Sequence, residues 1–314
     1  MNLEQIIRKN RPSRNARIGI YVIDLNTGRR FGFNENEFIY PASTYKIFIG
    51  AEVLRQASTF AKAPADKEQG AFSLSKKIKI KSPNDIDNES RFYPTDTHQV
   101  LRAGDIVTVD TLMKLMLGRS DNTASNVLID LVGRESISKN IVRANKWDGS
   151  DVTRKFLNRA HEDADYKFAD ITVACARHFA EFMEKLARDK LISASVSRKL
   201  KEYMRGGAVK IRAKNFLKNA EYEKGGWLQV FSRNPFRFIR NRGIIRYQSI
   251  AAIVRHDDLH YAIGIVSQYR TIFPWNYFRF SELQKEIEKA MTTPSSAFAL
   301  LRRDAIPSLK RRGI

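Results

Sequence analysis

The sequence is poor in cysteine. Cys175 is the single cysteine among 314 residues, so no disulfide can form within the chain. Long apolar stretches are also missing, since no run of about 18 apolar residues is free of charge, and this argues against a membrane-spanning helix. The N-terminal segment Met1–Ala16 is polar and basic and lacks the apolar centre of a secretory signal peptide. If the protein is exported, we expect its leader to be absent from this sequence.

Acidic residues are scarce as well. The chain has 34 of them against 55 lysines and arginines, which gives a net charge of +21. Such a charge favours anionic partners. However, zinc-ligand spacing, an aromatic–basic sheet motif and a basic zipper are all missing, so we do not expect nucleic acid. The cations are scattered, with denser runs at Arg237–Arg246 and Arg302–Arg312. We interpret them first as solvated surface charge and second as a surface for anionic cell-envelope polymers.

β-rich segments lie near both ends of the chain. Arg17–Asp24 and Arg29–Phe33 flank an Asn-Thr-Gly turn and predict a hairpin. Glu221–Phe231, Gly243–Val254 and Leu259–Tyr269 predict three further strands. Elsewhere the apolar residues recur with helical period, which predicts helices at Ser43–Gln56, Val109–Leu117, Thr123–Val132, Thr172–Leu191, Ser195–Met204 and Ser281–Met291.

This order of elements predicts an α+β fold. We expect a five-stranded antiparallel sheet built from both chain ends, with helices on both faces. Residues 1–47 and 216–314 are expected to form this α/β lobe, and residues 48–215 an inserted all-helical lobe. The functional site is then expected in the cleft between the two lobes.

Ser43 and Lys46 lie three residues apart, just after Pro41, at the predicted start of a helix. On a helix such a pair shares one face. A buried lysine with a lowered pKa can take the proton of the serine hydroxyl, which makes the serine a nucleophile. The spacing alone has little specificity, because Ser73–Lys76 and Ser136–Lys139 show it too.

Two further motifs are suited to the same chemistry. Ser120-Asp121-Asn122 lies between two predicted helices, where its serine can relay a proton and its asparagine can bind an amide. The alternative is a helix cap, since all three residue types cap helices well. Lys224-Gly225-Gly226 lies on a predicted strand, where the lysine offers positive charge to a carboxylate and the glycines leave the strand edge open. The alternative there is an exposed strand lysine beside a bulge glycine.

In this order the three motifs resemble the signature of class A β-lactamases and penicillin-binding proteins. Their surroundings are similar too. Pro41–Lys46 resembles the nucleophile helix of that family, and Ser120–Asn126 resembles its Ser-Asp-Asn element followed by Thr-Ala-x-Asn. Arg242–Ile245 resembles the stretch that carries its carboxylate-binding arginine. The resemblance runs from about residue 3 to residue 292.

The resemblance implies a role for each matching residue. Ser43 is expected to be the acylated nucleophile and Lys46 its proton acceptor, directly or through water. Ser120 and Lys224 are expected to manage the proton of the leaving nitrogen and the substrate carboxylate.

The substrate-binding residues that the resemblance implies are Asn122, Gly226 and Arg242. Asn122 is expected to bind the acyl side-chain amide, Gly226 to leave the strand edge open, and Arg242 to hold the carboxylate. The family's β-lactamase/transpeptidase-like fold, its β-lactam or peptidoglycan stem-peptide substrates and its periplasmic or extracytoplasmic location are expected as well. No cofactor or metal is expected.

One position departs from the family pattern. Class A β-lactamases hydrolyse the acyl-enzyme with a glutamate in a loop after the Ser-Asp-Asn element, and the matching stretch here is Phe156-Leu157-Asn158. A phenyl ring neither accepts a proton nor orients a water molecule. We therefore expect acylation to survive and deacylation to be slow, unless Glu162 or Asp163 replaces the missing base. Gly225 also stands where the family usually has a hydroxyl residue.

Three functions remain open at this point. The first is a serine acyl-transfer enzyme of the D,D-peptidase-like, penicillin-binding kind. The second is a weak or unconventional β-lactamase that uses another base. The third is a non-catalytic envelope-binding protein that retains the fold.

Overall fold

The computed structural model of the chain describes residues 3–60, 72–82, 84, 101–157, 161–205, 217–230, 243–272 and 277–292. The strands in these ranges are β1 Arg17–Asp24, β2 Arg30–Phe33, β3 Lys77–Lys79, β4 Ile106–Thr108, β5 Ala220–Val230, β6 Ile244–His256 and β7 Leu259–Thr271. The α-helices are α1 Leu3–Asn10, α2 Lys46–Phe60, α3 Val109–Lys114, α4 Asn122–Val132, α5 Arg134–Ile137, α6 Ala176–Ala187, α7 Ala194–Arg205 and α8 Phe280–Thr292.

A five-stranded sheet joins the two ends of the chain. Its strand order is β2-β1-β7-β6-β5, and every neighbouring pair is antiparallel. The N-terminal β1 pairs along its whole length with the C-terminal β7, from Arg17 opposite Gln268 to Asp24 opposite Tyr261. Most of β6 is buried on both faces, which explains the continuous apolar run Ile250–Val254. The predicted sheet is therefore confirmed, with the predicted strands within two residues of their observed bounds.

Helices cover both faces of this sheet. On one face α1 and α8 contribute Ile6, Ile7, Phe280 and Leu283 to a buried cluster with the strands. On the other face a larger cluster contains residues of α2, α4, α6 and α7 together with strand residues such as Ala251. β5 is an edge strand, and its central residues approach the segment that precedes α2.

Several helix boundaries differ from the predicted ones. The α-helix expected from Ser43 begins at Lys46, because Ala42–Tyr45 forms a tighter 3₁₀ turn. The helix expected over Thr172–Leu191 spans Ala176–Ala187. Val173 and Ala174 instead form isolated bridges to Asp151 and Ile39, an extended conformation that suits a β-branched residue.

Three elements were not predicted: α1, α5 and the small antiparallel sheet of β3 and β4. Each is eight residues long or shorter, so few apolar repeats mark it in the sequence. Within the described residues, the structure contains no helix long and apolar enough to cross a membrane.

Candidate active site

The segment Pro41–Tyr45 places Ser43 in a tight turn directly before α2. Ala42 has a positive φ of 46°, and the Thr44 N–H donates to the Pro41 carbonyl at 3.1 Å. Ser43 is half-buried, and its hydroxyl makes no hydrogen bond to another residue in the described ranges. This leaves the serine oxygen partly exposed and without a side-chain partner among the described residues.

Two strands of the sheet hold this turn in place. The Ser249 hydroxyl on β6 hydrogen-bonds to the Pro41 carbonyl and lies 2.7 Å from the Thr44 hydroxyl. Gly226 on β5 packs directly against the turn: a Cβ at this position would lie 2.7 Å from Thr44 N and 2.8 Å from the Pro41 oxygen. Only a glycine allows the edge strand to approach the nucleophile turn this closely.

Lys46, the first residue of α2, has a fully buried side chain. Its Nζ donates to the Ser120 carbonyl and to Asn122 Oδ1, each at 2.6 Å, and lies 3.4 Å from Ser120 Oγ. Burial, reinforced by the nearby charge of Lys224, holds the pKa of Lys46 well below its ordinary value, although Asp121 opposes this shift. No hydrogen bond joins Lys46 to Ser43 in the described structure, and such catalytic contacts are often long before substrate binds.

Lys224, on β5, reaches the same serine from the opposite side. Its Nζ donates to Ser120 Oγ at 2.8 Å and to the Gly225 carbonyl at 3.0 Å. Burial lowers the pKa of Lys224 to about 7, and the charge of Glu223 partly offsets this effect. The Ser120 hydroxyl thus lies between two buried amines, each of which is far easier to deprotonate than an exposed lysine.

The three residues of the Ser-Asp-Asn motif make different contacts. Asp121 is the N-cap of α4, since its carboxylate accepts the Ala124 N–H at 2.7 Å, so the capping interpretation is right for this residue. Ser120 has a positive φ of 61° and, like Asn122, faces Lys46. The cap therefore fixes the turn that presents the two neighbouring side chains.

Phe156 also contacts the Lys46 amine. The centre of its ring lies 4.3 Å from Lys46 Nζ, and the ring stacks on Tyr45 with 4.8 Å between centres and 2° between planes. Its backbone N–H donates to Asn126 Oδ1 at 2.7 Å, which ties this segment to α4. At the place where a general base is expected, Lys46 therefore meets an aromatic face, which can attract a cation but cannot accept a proton.

Glu162 and Asp163 are engaged in ion pairs. Arg134 Nη2 lies 2.5 Å from Glu162 Oε1 and 2.9 Å from Asp163 Oδ2, and the Glu162 side chain is fully buried. The backbone N–H of Lys155 donates to Glu162 Oε2 at 3.1 Å, and Lys155 Nζ lies 3.3 Å from Asp163 Oδ2. These contacts give both carboxylates a structural role in the segment that carries Phe156.

The structure brings six of the seven expected site residues to one edge of the sheet: Ser43, Lys46, Ser120, Asn122, Lys224 and Gly226. Arg242 and Asn158 lie outside the described residues. Sequence reasoning assigned no role to three supporting residues: Tyr45, Asn126 and Ser249. Ser249 had a weak signal, as a hydroxyl residue directly before the apolar run Ile250–Val254.

A family model matches most of the chain. Residues 2–290 match the model of the "Beta-lactamase enzyme family". Among curated proteins, the β-lactamase CARB-3 of Pseudomonas aeruginosa is 26% identical over 204 residues, which are 64% of this chain and 63% of that protein. The alignment thus spans less than two thirds of the length of this relative.

Solved structures share the fold at low identity. The extended-spectrum β-lactamase TLA-3 superposes with a TM-score of 0.69 at 16% identity, covering 93% of this chain and 98% of TLA-3. A mutant of PBP-A, solved as an acyl-enzyme complex with penicillin G, gives a TM-score of 0.63 at 15% identity and covers 91% of this chain and 96% of its own. The β-lactamase/transpeptidase-like fold expected from the sequence is thereby confirmed.

Proposed function

This chain belongs to the beta-lactamase enzyme family, and we propose that it is a serine acyl-transfer enzyme with Ser43 as its nucleophile. The observation that carries the proposal is the convergence of two buried lysines, Lys46 and Lys224, on the Ser120 hydroxyl in the site that contains Ser43. Burying two amines so close together is costly and serves no evident packing purpose. Such a pair of buried amines is useful in an enzyme that transfers protons during its reaction.

Lys46 is the proton acceptor of Ser43 in this proposal. A neutral amine has two N–H bonds and one lone pair, and the two short hydrogen bonds to Ser120 O and Asn122 Oδ1 occupy both N–H bonds. The lone pair then remains to take the serine proton. The lowered pKa of Lys46 favours this neutral form relative to an exposed lysine.

Each proton that moves in the proposed acylation step has a donor and an acceptor among the site residues and the substrate. The Ser43 oxygen bonds to the substrate carbonyl carbon, and its proton passes to Lys46. The carbon–nitrogen bond of the lactam or peptide then breaks, and the leaving nitrogen takes the proton of the Ser120 hydroxyl. Ser120 regains a proton from Lys46 or Lys224, whose amines lie 3.4 Å and 2.8 Å from its oxygen.

The same residues would also orient the substrate. Protonated Lys224 pairs with the substrate carboxylate, helped by Arg242, and Asn122 binds the amide of the acyl side chain. The glycine pair Gly225-Gly226 leaves the edge of β5 open to the substrate backbone. Since Gly225 lacks a hydroxyl, the carboxylate loses one hydrogen bond, worth about 1.5–3 kcal/mol when it is charge-assisted.

Hydrolysis of the acyl-enzyme is the slow step in this proposal. The ring of Phe156 faces Lys46 and cannot activate water, while Glu162 and Asp163 are held by Arg134 and Lys155. This favours a penicillin-binding, D,D-peptidase-like enzyme that acts on peptidoglycan stem peptides outside the cytoplasm. It disfavours a β-lactamase that uses another base, and the two buried lysines beside Ser120 disfavour a non-catalytic binding protein.

Labelling with a fluorescent penicillin tests the proposal. The wild-type chain should acquire one covalent label, and Ser43→Ala should acquire none. Ser73→Ala and Ser136→Ala are matched controls, because both serines are followed by a lysine at the same spacing. These two variants should label like the wild type. Equal labelling of Ser43→Ala would refute the assignment of the nucleophile.

A further inference from the structure

The small sheet of β3 and β4 carries a row of lysines on its outer face. Lys77 and Lys79 are exposed, and Lys81, just beyond the strand, is exposed as well. Ile78 and Val107, paired on the opposite face, pack against the large core cluster. In an extended strand, alternate residues are about 6.7 Å apart. The lysines therefore form a row of closely spaced cations, and the packing of Ile78 and Val107 holds this face against the core.

These lysines have no acidic partners in the described ranges. None of Lys77, Lys79 and Lys81 forms an ion pair or a hydrogen bond there with its side chain, whereas many other basic residues, Lys114 and Lys201 among them, are paired with carboxylates. A row of unpaired like charges is repulsive, and it is stabilised only by water, salt or an anionic partner.

A large apolar side chain lies within this charged face. Ile106 on β4 is directly opposite Lys79 in the strand register, so both side chains point outward from the same face. The Ile106 side chain is 63% exposed. Edge protection against strand pairing accounts for lysines on a short strand, but it does not account for the exposed isoleucine opposite Lys79.

We propose that this lysine face, formed by Lys77, Lys79, Lys81 and Ile106, docks on the surface of a bilayer that contains anionic phospholipid. Peripheral binding to such a surface combines electrostatic attraction with burial of apolar side chains in the interface. The lysine row supplies the first contribution and Ile106 the second. This inference is independent of the chemistry at Ser43.

Vesicle co-sedimentation tests the proposal. The wild-type chain should bind vesicles of phosphatidylcholine mixed with phosphatidylglycerol and should not bind phosphatidylcholine alone. Binding should weaken by about fivefold for each lysine neutralised, so by about a hundredfold in K77Q/K79Q/K81Q. The single variant K79Q should show about the fivefold effect, and it keeps the test valid if the triple variant melts early.

Two matched controls distinguish binding by this face from the effect of net charge and from non-specific binding through any exposed apolar side chain. K9Q/K139Q/K190Q removes the same charge from exposed lysines elsewhere and should change binding by less than about threefold. Ile106→Ser should weaken vesicle binding, whereas Phe168→Ser, at a position that is 85% exposed, should not. Equal effects of the two triple variants would overturn the proposal. So would unchanged vesicle binding by Ile106→Ser together with equally strong binding of inorganic polyphosphate, which would assign the face to soluble polyanions.

Discussion

In the proposed mechanism, the fate of the acyl-enzyme depends on a single side chain, that of Phe156. The centre of its ring lies 4.3 Å from Lys46 Nζ, and we propose that this ring takes the place of a water-activating carboxylate. Two features of its surroundings keep it there: the stack on Tyr45 and the backbone hydrogen bond to Asn126. The backbone hydrogen bond does not depend on the side chain, so we expect the segment to keep its position after a substitution at residue 156.

Replacing Phe156 by glutamate should accelerate deacylation. A general base contributes about a hundredfold or more to such a step, so release of the penicilloyl group from Phe156→Glu should be at least about a hundredfold faster. The measurement is the decay of the labelled protein after excess penicillin is removed. Phe156→Leu, which restores no base, is the control. Equal decay for glutamate and leucine would show that the missing carboxylate does not limit release.

The lowered pKa of Lys224 predicts a particular pH dependence. Its pKa is about 7, so the amine is charged below pH 7 and becomes neutral above it. Labelling by a carboxylate-bearing penicillin should therefore decline as the pH rises through about 7, because the positive partner of the carboxylate is lost. Lys224→Arg keeps its charge to much higher pH and should move this decline upward. An identical profile for the wild type and Lys224→Arg would contradict this role.

At the scale of elements, the site depends on how closely the edge strand β5 approaches the turn before α2. Substitution of Gly226 by alanine inserts a methyl group against backbone atoms of Thr44 and Pro41. Overpacking of this kind costs about 1–3 kcal/mol of folding free energy. A nucleophile shifted by about 1 Å loses roughly a hundredfold in rate. Gly226→Ala should therefore lower the labelling rate far more than the melting temperature.

Gly118→Ala is the matched control for this prediction. A Cβ at Gly118 has no atom within 4 Å, so the substitution tests the glycine-to-alanine change without a collision. Its labelling rate should equal that of the wild type. If Gly226→Ala also labels normally, the close approach of β5 has no bearing on Ser43.

The strands were the most predictable elements, because a sheet covered on both faces leaves continuous apolar runs such as Ile250–Val254. The exact start of α2 was not predictable. The 3₁₀ turn over Ala42–Tyr45 depends on Ser249 and Gly226, which are more than 180 residues away in the sequence. The same holds for the contact of Phe156 with Lys46. The sequence could identify the residue types, but long-range packing decided their geometry.

In the whole molecule, the sheet lies between the core cluster beside Ser43 and the smaller core cluster that contains α1 and α8. Ile6 on α1 is buried against α8 and the far face of the sheet, away from Ser43. Ile6→Ala should cost about 2–5 kcal/mol of folding free energy and leave the labelling rate unchanged well below the melting temperature. Lys9→Ala, at an exposed position of the same helix, should change neither quantity. A fall in the labelling rate of Ile6→Ala at low temperature would show that the two faces are coupled.

The division into lobes, residues 1–47 with 216–314 and residues 48–215, stays a prediction. The two core clusters lie on opposite faces of the sheet, and the larger one contains residues of the sheet as well as of the helices between the two strand groups. Since that cluster crosses both proposed boundaries, we expect the chain to unfold in one cooperative transition rather than lobe by lobe.

In the proposed mechanism, Ser43 takes up an acyl group readily and releases it slowly. Intact-mass measurement after mixing with penicillin G tests it most directly, followed by peptide mapping of the adduct and dilution into drug-free buffer. We predict rapid gain of one penicillin mass on the peptide that contains Ser43, and persistence of that mass long after the free drug is removed. No adduct at any time, or an adduct that disappears as fast as it forms, would contradict this mechanism.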